Sequence, residues 1–110
     1  MTYSVHFTNQ AQTDVDNCLG YIETVLFNHT AAKLLERRID SALDSLAAFP
    51  NAYTLVKFEP WRSRGWRQIP LGNYLMFYEV RPAQKTVYIT AFLYGARDLP
   101  TILSQREPKL

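Results

Sequence analysis

The stretch Tyr74-Leu75-Met76-Phe77-Tyr78-Glu79-Val80, followed by Arg81-Pro82-Ala83-Gln84-Lys85 and then Thr86-Val87-Tyr88-Ile89-Thr90-Ala91-Phe92-Leu93, decides the fold. Aromatic and β-branched residues dominate both long runs, and the proline-containing segment between them suits a hairpin, so the runs read as neighbouring antiparallel strands. Along the second run Val87, Ile89, Ala91 and Leu93 share one face, with Thr86, Tyr88, Thr90, Phe92 and Tyr94 on the other. The first set is expected to pack on the rest of the chain. The second, mixed and aromatic, is expected to stay at least partly open. Upstream, the turn residues Leu71-Gly72-Asn73 bring in Trp66 to Ile69 as a third strand, which makes a meander.

The N-terminal half has a different period. Tyr3-Ser4-Val5-His6-Phe7 alternates apolar and polar residues and predicts a half-buried strand. Thr8 or Asn9 then caps a helix with the stripe Ala11, Val15, Leu19, Ile22 and Leu26. The pattern lapses at Asn28-His29 and restarts at Thr30, with Leu35, Ile39, Ala42, Leu46 and Phe49 on one side before Pro50 stops it. Two helices joined by so short a link pack antiparallel. After Gly95, Asp98 caps a short helical turn around Leu99 to Gln105, and the tail from Arg106 is expected to fray. The order β-α-α-β-β-β predicts an α+β fold, a largely antiparallel sheet with a helical hairpin on one face. Function is expected on the opposite face.

A chain of 110 residues, 47% hydrophobic and 20% charged, suits one folded domain spanning 1–110 and excludes a disordered or collagen-like chain. A single cysteine, Cys18, leaves no internal disulfide, no apolar run is long enough for a membrane span, and the expected location is the cytoplasm. His6, His29 and Cys18 lack the short spacings of zinc sites, and no phosphate-binding glycine loop or nucleophile elbow is present, so neither a metal nor another cofactor is expected. The net charge of +2 hides an asymmetry. Residues 1–50 carry Lys33, Arg37 and Arg38 against six acids, whereas residues 51–97 carry seven cations against Glu59 and Glu79. That points to an anionic partner for the second half, nucleic acid or an acidic protein segment.

The densest local feature is Lys57-Phe58-Glu59-Pro60-Trp61-Arg62-Ser63-Arg64-Gly65-Trp66-Arg67. Its arginines suit phosphates, and Trp61 or Trp66 suits base stacking, the combination that holds single-stranded nucleic acid. A solvated loop entering a strand, with Trp66 in the core, explains the same residues. Arg67 differs from its neighbours because a strand fixes its direction. Arg97 follows the last strand in Gly95-Ala96-Arg97-Asp98. Tyr74, Tyr78, Tyr88 and Tyr94 offer stacking surfaces or phenols, although strand tyrosines are mostly packing residues. No His and carboxylate pair is aligned, so phosphodiester cleavage would lean on Arg, Lys and Tyr.

Taken together, these residues resemble the RelE/ParE family of bacterial toxins from type II toxin-antitoxin modules. The resemblance rests on the Tyr3-to-Phe7 opening with Thr8, Ala11, Asp14 and Tyr21, on Arg67-Gln68-Ile69-Pro70, on Asn73 to Val80, and on Val87-Tyr88-Ile89 with Gly95-Ala96-Arg97-Asp98-Leu99. It implies the same βααβββ architecture and an antitoxin partner that lays a helix and extended segments across the toxin. RelE-type members cut messenger RNA, usually on the ribosome, by helping the ribose 2′-hydroxyl attack the adjacent phosphate. ParE-type members bind and poison DNA gyrase without catalysis.

By resemblance, Arg67 matches a basic position lining the nuclease site, and Arg97 matches the phosphate-stabilising arginine after the last strand. The chain departs from the nucleases at Leu75-Met76-Phe77, where they carry an arginine, and in lacking Tyr or His from Asp98 onward. The first expectation is ribosome-associated messenger RNA cleavage, with Arg67, Arg97 and Tyr78 catalytic and Lys57, Arg62, Arg64, Trp61 and Tyr94 binding RNA or a partner. Tyr94 is the alternative to Tyr78 as acid or stacking platform. The alternatives are gyrase inhibition and a degenerate member that only binds its antitoxin. Acidic groups of that antitoxin are expected on Arg62, Arg64 and Arg67, giving salt-sensitive binding.

Overall fold

In a computed structural model, which describes residues 2–95 and 97–106, the chain runs β1 (Ser4–Phe7), α1 (Asn9–Thr24), α2 (His29–Ala48), β2 (Arg67–Leu71), β3 (Tyr74–Arg81), β4 (Thr86–Tyr94) and α3 (Leu99–Arg106). Ala96 and the expected fraying at 107–110 lie outside the described residues. Thr8 holds an extended conformation and its Oγ1 accepts the Ala11 amide at 3.1 Å. Asn28 does the same for Ala31 at 3.0 Å, starting α2. Each cap satisfies an amide that a helix start leaves unpaired.

Ala11, Val15 and Ile22 of α1 and Leu35, Ile39, Ala42 and Leu46 of α2 are buried. Leu26 and Phe49, read as the last members of these stripes, are instead 54% and 67% exposed. The helices end at Thr24 and Ala48, so beyond those points the helical period no longer sets side-chain direction.

The four strands form one sheet in the order β1-β4-β3-β2. The meander β2-β3-β4 is antiparallel, and β1 lies parallel to β4, reached through the helical hairpin. One irregularity reshapes β4. Phe77 pairs with Ala91 and Tyr78 with Ile89, so Thr90 is an extra residue opposite the Phe77–Tyr78 step. A bulge of this kind resets the alternation of faces. Val87 and Ile89 face the helices as the period predicts, but past the bulge Phe92 faces them, while Ala91 and Leu93 turn away.

The sheet consequently separates two cores. On the helix side, Val87, Ile89, Met76, Tyr78 and Phe92 pack with the α1 and α2 stripes. On the other side Phe77, Ala91 and Leu93 pack with Val56 and Trp61 of the loop before β2 and with Leu99 and Leu103 of α3. The opposite face, expected to lie open, is thus largely covered. Phe77 and Val56 have no exposed surface there.

The β2 edge of the sheet and the stretch of β4 that extends past β1 are both occupied. The outward amide of Gln68 donates to Thr54 O at 3.0 Å, and the next outward position in β2 is Pro70, which has no N–H to offer. Beside β4, strand β1 ends where Phe7 pairs with Ile89. Past that point the Phe92 amide donates to Asp14 Oδ2 of α1 at 3.1 Å, so a helix side chain takes over where the neighbouring strand stops.

Candidate functional site

Arg67 opens β2 directly opposite Tyr78 of β3. Cross-strand partners share a face, so both point to the helix side. The Arg67 guanidinium donates through Nη1 to the Tyr53 carbonyl at 2.6 Å, and the Tyr78 hydroxyl donates to the Pro50 carbonyl at 2.9 Å. The two side chains together fasten the segment that leaves α2. Tyr78 has no exposed surface, and its burial, partly offset by the Arg67 charge, pushes its phenol up to about 12. At neutral pH it is protonated and its proton is committed to Pro50. The expectation of a catalytic Tyr78 is therefore corrected: it is an interior tether beyond the reach of a phosphodiester.

Trp61 receives the same correction. Only 2% exposed, it packs in the second core with Phe58 at 5.6 Å and Trp66 at 6.3 Å. A ring so placed has no free face for a base. Its neighbours on the loop are outside the core: Lys57, Arg62 and Arg64 are exposed, although Arg62 Nη1 donates to the Val56 carbonyl at 3.0 Å and braces the loop. Trp66 is half-buried and its Nε1 donates to Glu79 Oε1 at 3.1 Å. The basic cluster is thus one surface, with its aromatics serving as its foundation.

Tyr94 is 45% exposed and meets Tyr74 edge-on at 5.8 Å. Tyr74 in turn stacks on Phe92 at 5.2 Å. Its phenol is raised to about 12, chiefly by the hydrogen bond with Cys18 and then by burial; burial also raises the Cys18 thiol. Gly95 lies against the β2–β3 turn, its amide on Asn73 O at 2.8 Å, and a Cβ there would stand 3.3 Å from that oxygen. Arg97 follows, exposed, with its amide on Tyr94 O at 3.2 Å.

The sheet register separates the two arginines. Tyr94 pairs with Tyr74 and Arg67 with Tyr78, a difference of four residues, or about 13 Å along the strands. Two strand spacings add roughly 9–10 Å across the sheet. Arg67 and the strand end that leads to Arg97 therefore stand well apart on the sheet. Among the described residues no group of three His, Cys, Asp or Glu is arranged to hold a metal ion.

Two arrangements escaped the sequence reading. Across the outer face at the start of β4, Arg81 Nε donates to Glu79 Oε2 at 2.6 Å and its guanidinium lies 5.4 Å from the Tyr88 ring centre, with His6 6.1 Å beyond. Only the parallel pairing of β1 with β4 brings His6 there. The second is a groove between α2 and β2 with Arg37, Arg38 and Tyr53 on its walls. Its signal in the sequence is faint: two adjacent cations in an otherwise acidic half.

A family model described as the ParE toxin of the type II toxin-antitoxin system parDE matches residues 5–99. The chain belongs to the ParE toxin family. It is therefore a toxin of the type II, RelE/ParE class. No curated protein sequence matches it significantly. Among solved structures, a chromosomal ParDE system of P. aeruginosa superposes with a TM-score of 0.65 at 20% identity, covering 84% of this chain and 96% of that one. A RelBE toxin-antitoxin complex of Mycobacterium tuberculosis gives 0.62 at 19%, covering 86% and 99%. The E. coli toxin RelE, as a double-arginine mutant in the free state, gives 0.62 at 13%, covering 97% and 100%. At these identities the ParE-family chain shares their α+β fold. No helix among its described residues is long and apolar enough to cross a membrane.

Proposed function

We propose that this ParE-family toxin acts by binding a protein, as a non-enzymatic inhibitor of DNA gyrase, and that an antitoxin holds it inactive. The observation that carries this reading is the dispersal of Arg67, Tyr78 and Arg97: one is bound to a backbone carbonyl, one is interior, and the third follows a strand whose end, Tyr94, lies four residues further along the sheet. Messenger RNA cleavage needs a base, an acid and a phosphate clamp within hydrogen-bond reach of one ribose. Binding needs only surface. Tyr21, Val25, Leu26 and Phe27, all more than half exposed around the turn between α1 and α2, supply apolar surface of the kind interfaces use. Phe27 reaches 85% exposure with φ at +51°, a conformation that displays the ring.

The exposed cations Lys57, Arg62 and Arg64 favour the RNA reading as the second possibility. One experiment separates the two. Purified protein is added to gyrase with relaxed plasmid, and in parallel to a reconstituted translation reaction read by primer extension. Loss of supercoiling or accumulation of gyrase-cleaved DNA, with intact message, is the expected result. Ribosome-dependent cleavage ends with normal supercoiling would replace this reading with the nuclease one.

A further inference from the structure

The loop between Val56 and Trp66 lies on the face of the sheet away from the helices, fastened there by Trp61 in the second core. We infer that this loop binds the phosphate backbone of double-stranded DNA through Lys57, Arg62 and Arg64. With gyrase as the source of that duplex, the inference rests on the gyrase reading above. The sequence alone placed RNA or a protein partner on these cations, and the inward turn of their aromatic neighbours changes the ligand.

The frame of the loop fixes where its cations stand. The Arg62 amide donates to Phe58 O at 3.0 Å, the Arg64 amide to Pro60 O at 3.1 Å and the Ser63 amide to Glu59 Oε1 at 3.0 Å, which winds residues 58–64 into tight turns. Gly65, with φ at +85°, brings the chain back, and the Val56 amide donates to the Trp66 carbonyl at 3.0 Å to close the loop. Phe58 and Trp61 pack inward, while Lys57, Arg62 and Arg64 are exposed. Arg62 Nη1 donates to the Val56 carbonyl at 3.0 Å, which seats its guanidinium beside Lys57. A frame already ordered lowers the ordering needed when a partner arrives.

Charge on this side of the sheet has one prevailing sign. Lys57 and Arg62 make no ion pair with any described carboxylate. Glu59 shares the loop but is engaged by the Ser63 amide, and Glu79 beneath it accepts from Trp66 Nε1 and Arg81. The helical layer is the reverse, since residues 1–50 carry three cations against six acids. A polyanion is therefore drawn to the loop and turned away from the helices. The exposed apolar residues Tyr21 to Phe27 belong to the helical layer, so a protein and a duplex can be held on opposite faces of one chain.

The aromatics select a duplex over a single strand. Single-stranded nucleic acid is held by stacking splayed bases on open rings. No ring of this loop is open: Trp61 is 2% exposed, Phe58 is half-buried against it at 5.6 Å, and half-buried Trp66 is tied through Nε1 to Glu79. What remains is contact between cations and phosphates. That contact favours B-DNA, which packs one charge into about 1.7 Å of axis and keeps its bases stacked inside. A grip on the backbone alone reads no sequence.

The test titrates the full chain into a fluorescein-labelled DNA duplex of about 20 base pairs, read by anisotropy, beside single-stranded RNA of the same length. Each phosphate contact lowers affinity about 3.5-fold for a fourfold rise in salt, so three contacts predict a fall of about fortyfold between about 50 and about 200 mM NaCl. Arg62→Gln/Arg64→Gln is expected to shrink that fall to about 3.5-fold, and Lys57→Gln to about twelvefold. Arg37→Gln/Arg38→Gln, the same change in net charge on the helical layer, is expected to leave duplex affinity within about twofold. Arg62→Lys drops the brace on Val56 but keeps the charge, and is expected to retain the fall of about fortyfold, so a folding defect in the glutamine pair does not decide the outcome. Equal weakening by the two arginine pairs overturns the inference, as does tighter binding to single-stranded RNA than to the duplex at equal salt. The duplex assay makes no use of gyrase. A chain that binds the duplex through the loop yet does not affect supercoiling removes the proposed function and leaves the DNA surface standing.

Discussion

Replacing Asp14 with alanine removes a bond that ties the helical layer to the sheet. Asp14 Oδ2 accepts the Phe92 amide at 3.1 Å across 78 residues of sequence, at the point where β4 has lost β1 as a neighbour. A hydrogen bond to a charged acceptor contributes about 1.5–3 kcal/mol, and removing it leaves the amide unpaired. Asp14 is half-buried, so water replaces part of the loss and the lower end, about 1.5–2 kcal/mol, is expected. For a chain of this length about 4 °C of Tm follows each kcal/mol, giving a fall of about 6–8 °C by calorimetry or circular dichroism. Asp14→Asn keeps an acceptor of the same shape and is expected to lose about half as much. Asp16→Ala, an exposed position whose carboxylate accepts from Gln12 at 3.0 Å, is expected to change Tm by less than about 2 °C. Equal effects at positions 14 and 16 would refute the reasoning, because the loss would then belong to helix charge and not to the strand edge.

Other expectations follow from the same geometry. Tyr78 has a folded-state phenol raised from 10.0 to about 12, so the unfolded chain loses that proton first; stability from this group is full below pH 10 and is lost as pH climbs toward 12. Tyr78→Phe is expected to flatten that alkaline loss in urea melts while lowering stability at pH 7 by about 1–2 kcal/mol through the orphaned Pro50 carbonyl. Gly72→Ala meets both a positive φ and the Arg38 guanidinium, and is expected to cost about 1 kcal/mol or more, seen as a lower urea midpoint. Trp61, interior, is expected to resist acrylamide quenching equally with and without a single-stranded oligonucleotide; protection only on addition of nucleic acid would contradict its placement. Arg67→Ala is expected to lower Tm while leaving gyrase inhibition intact, whereas abolished inhibition in a folded variant would return Arg67 to the site.

The helical layer was legible because its stripes keep one period: the α2 stripe from Leu35 to Leu46 reads as a helix and buries as one. Thr8 and Asn28 were readable as caps or link residues from their side-chain oxygens. The bulge at Thr90 was not legible, since nothing local marks the residue at which Ala91, Phe92 and Leu93 exchange faces; the pairing with Phe77 and Tyr78 sets it. Trp61 and Tyr78 misled for a related reason. An aromatic in a basic segment or a strand looks the same in sequence whether its ring faces water or core, and here long-range packing decides. Arg37 and Arg38 enter the sequence reading only as part of a charge count, because the groove beside them exists only once β2 arrives. The RelE/ParE resemblance, carried by spacing over the whole chain, was firmer than any residue role drawn from it.

The extra residue in β4 also makes the length of this strand part of its instructions. Loops usually absorb insertions and deletions, but here removing Thr90 alone would rotate everything downstream by half a turn: Ala91 and Leu93 would be driven toward the helices, Phe92 toward α3, and Tyr94 with the approach to Arg97 onto the opposite side of the sheet. The residue count of this strand is therefore set by its pairing with β3, and a one-codon deletion there would misplace both cores at once.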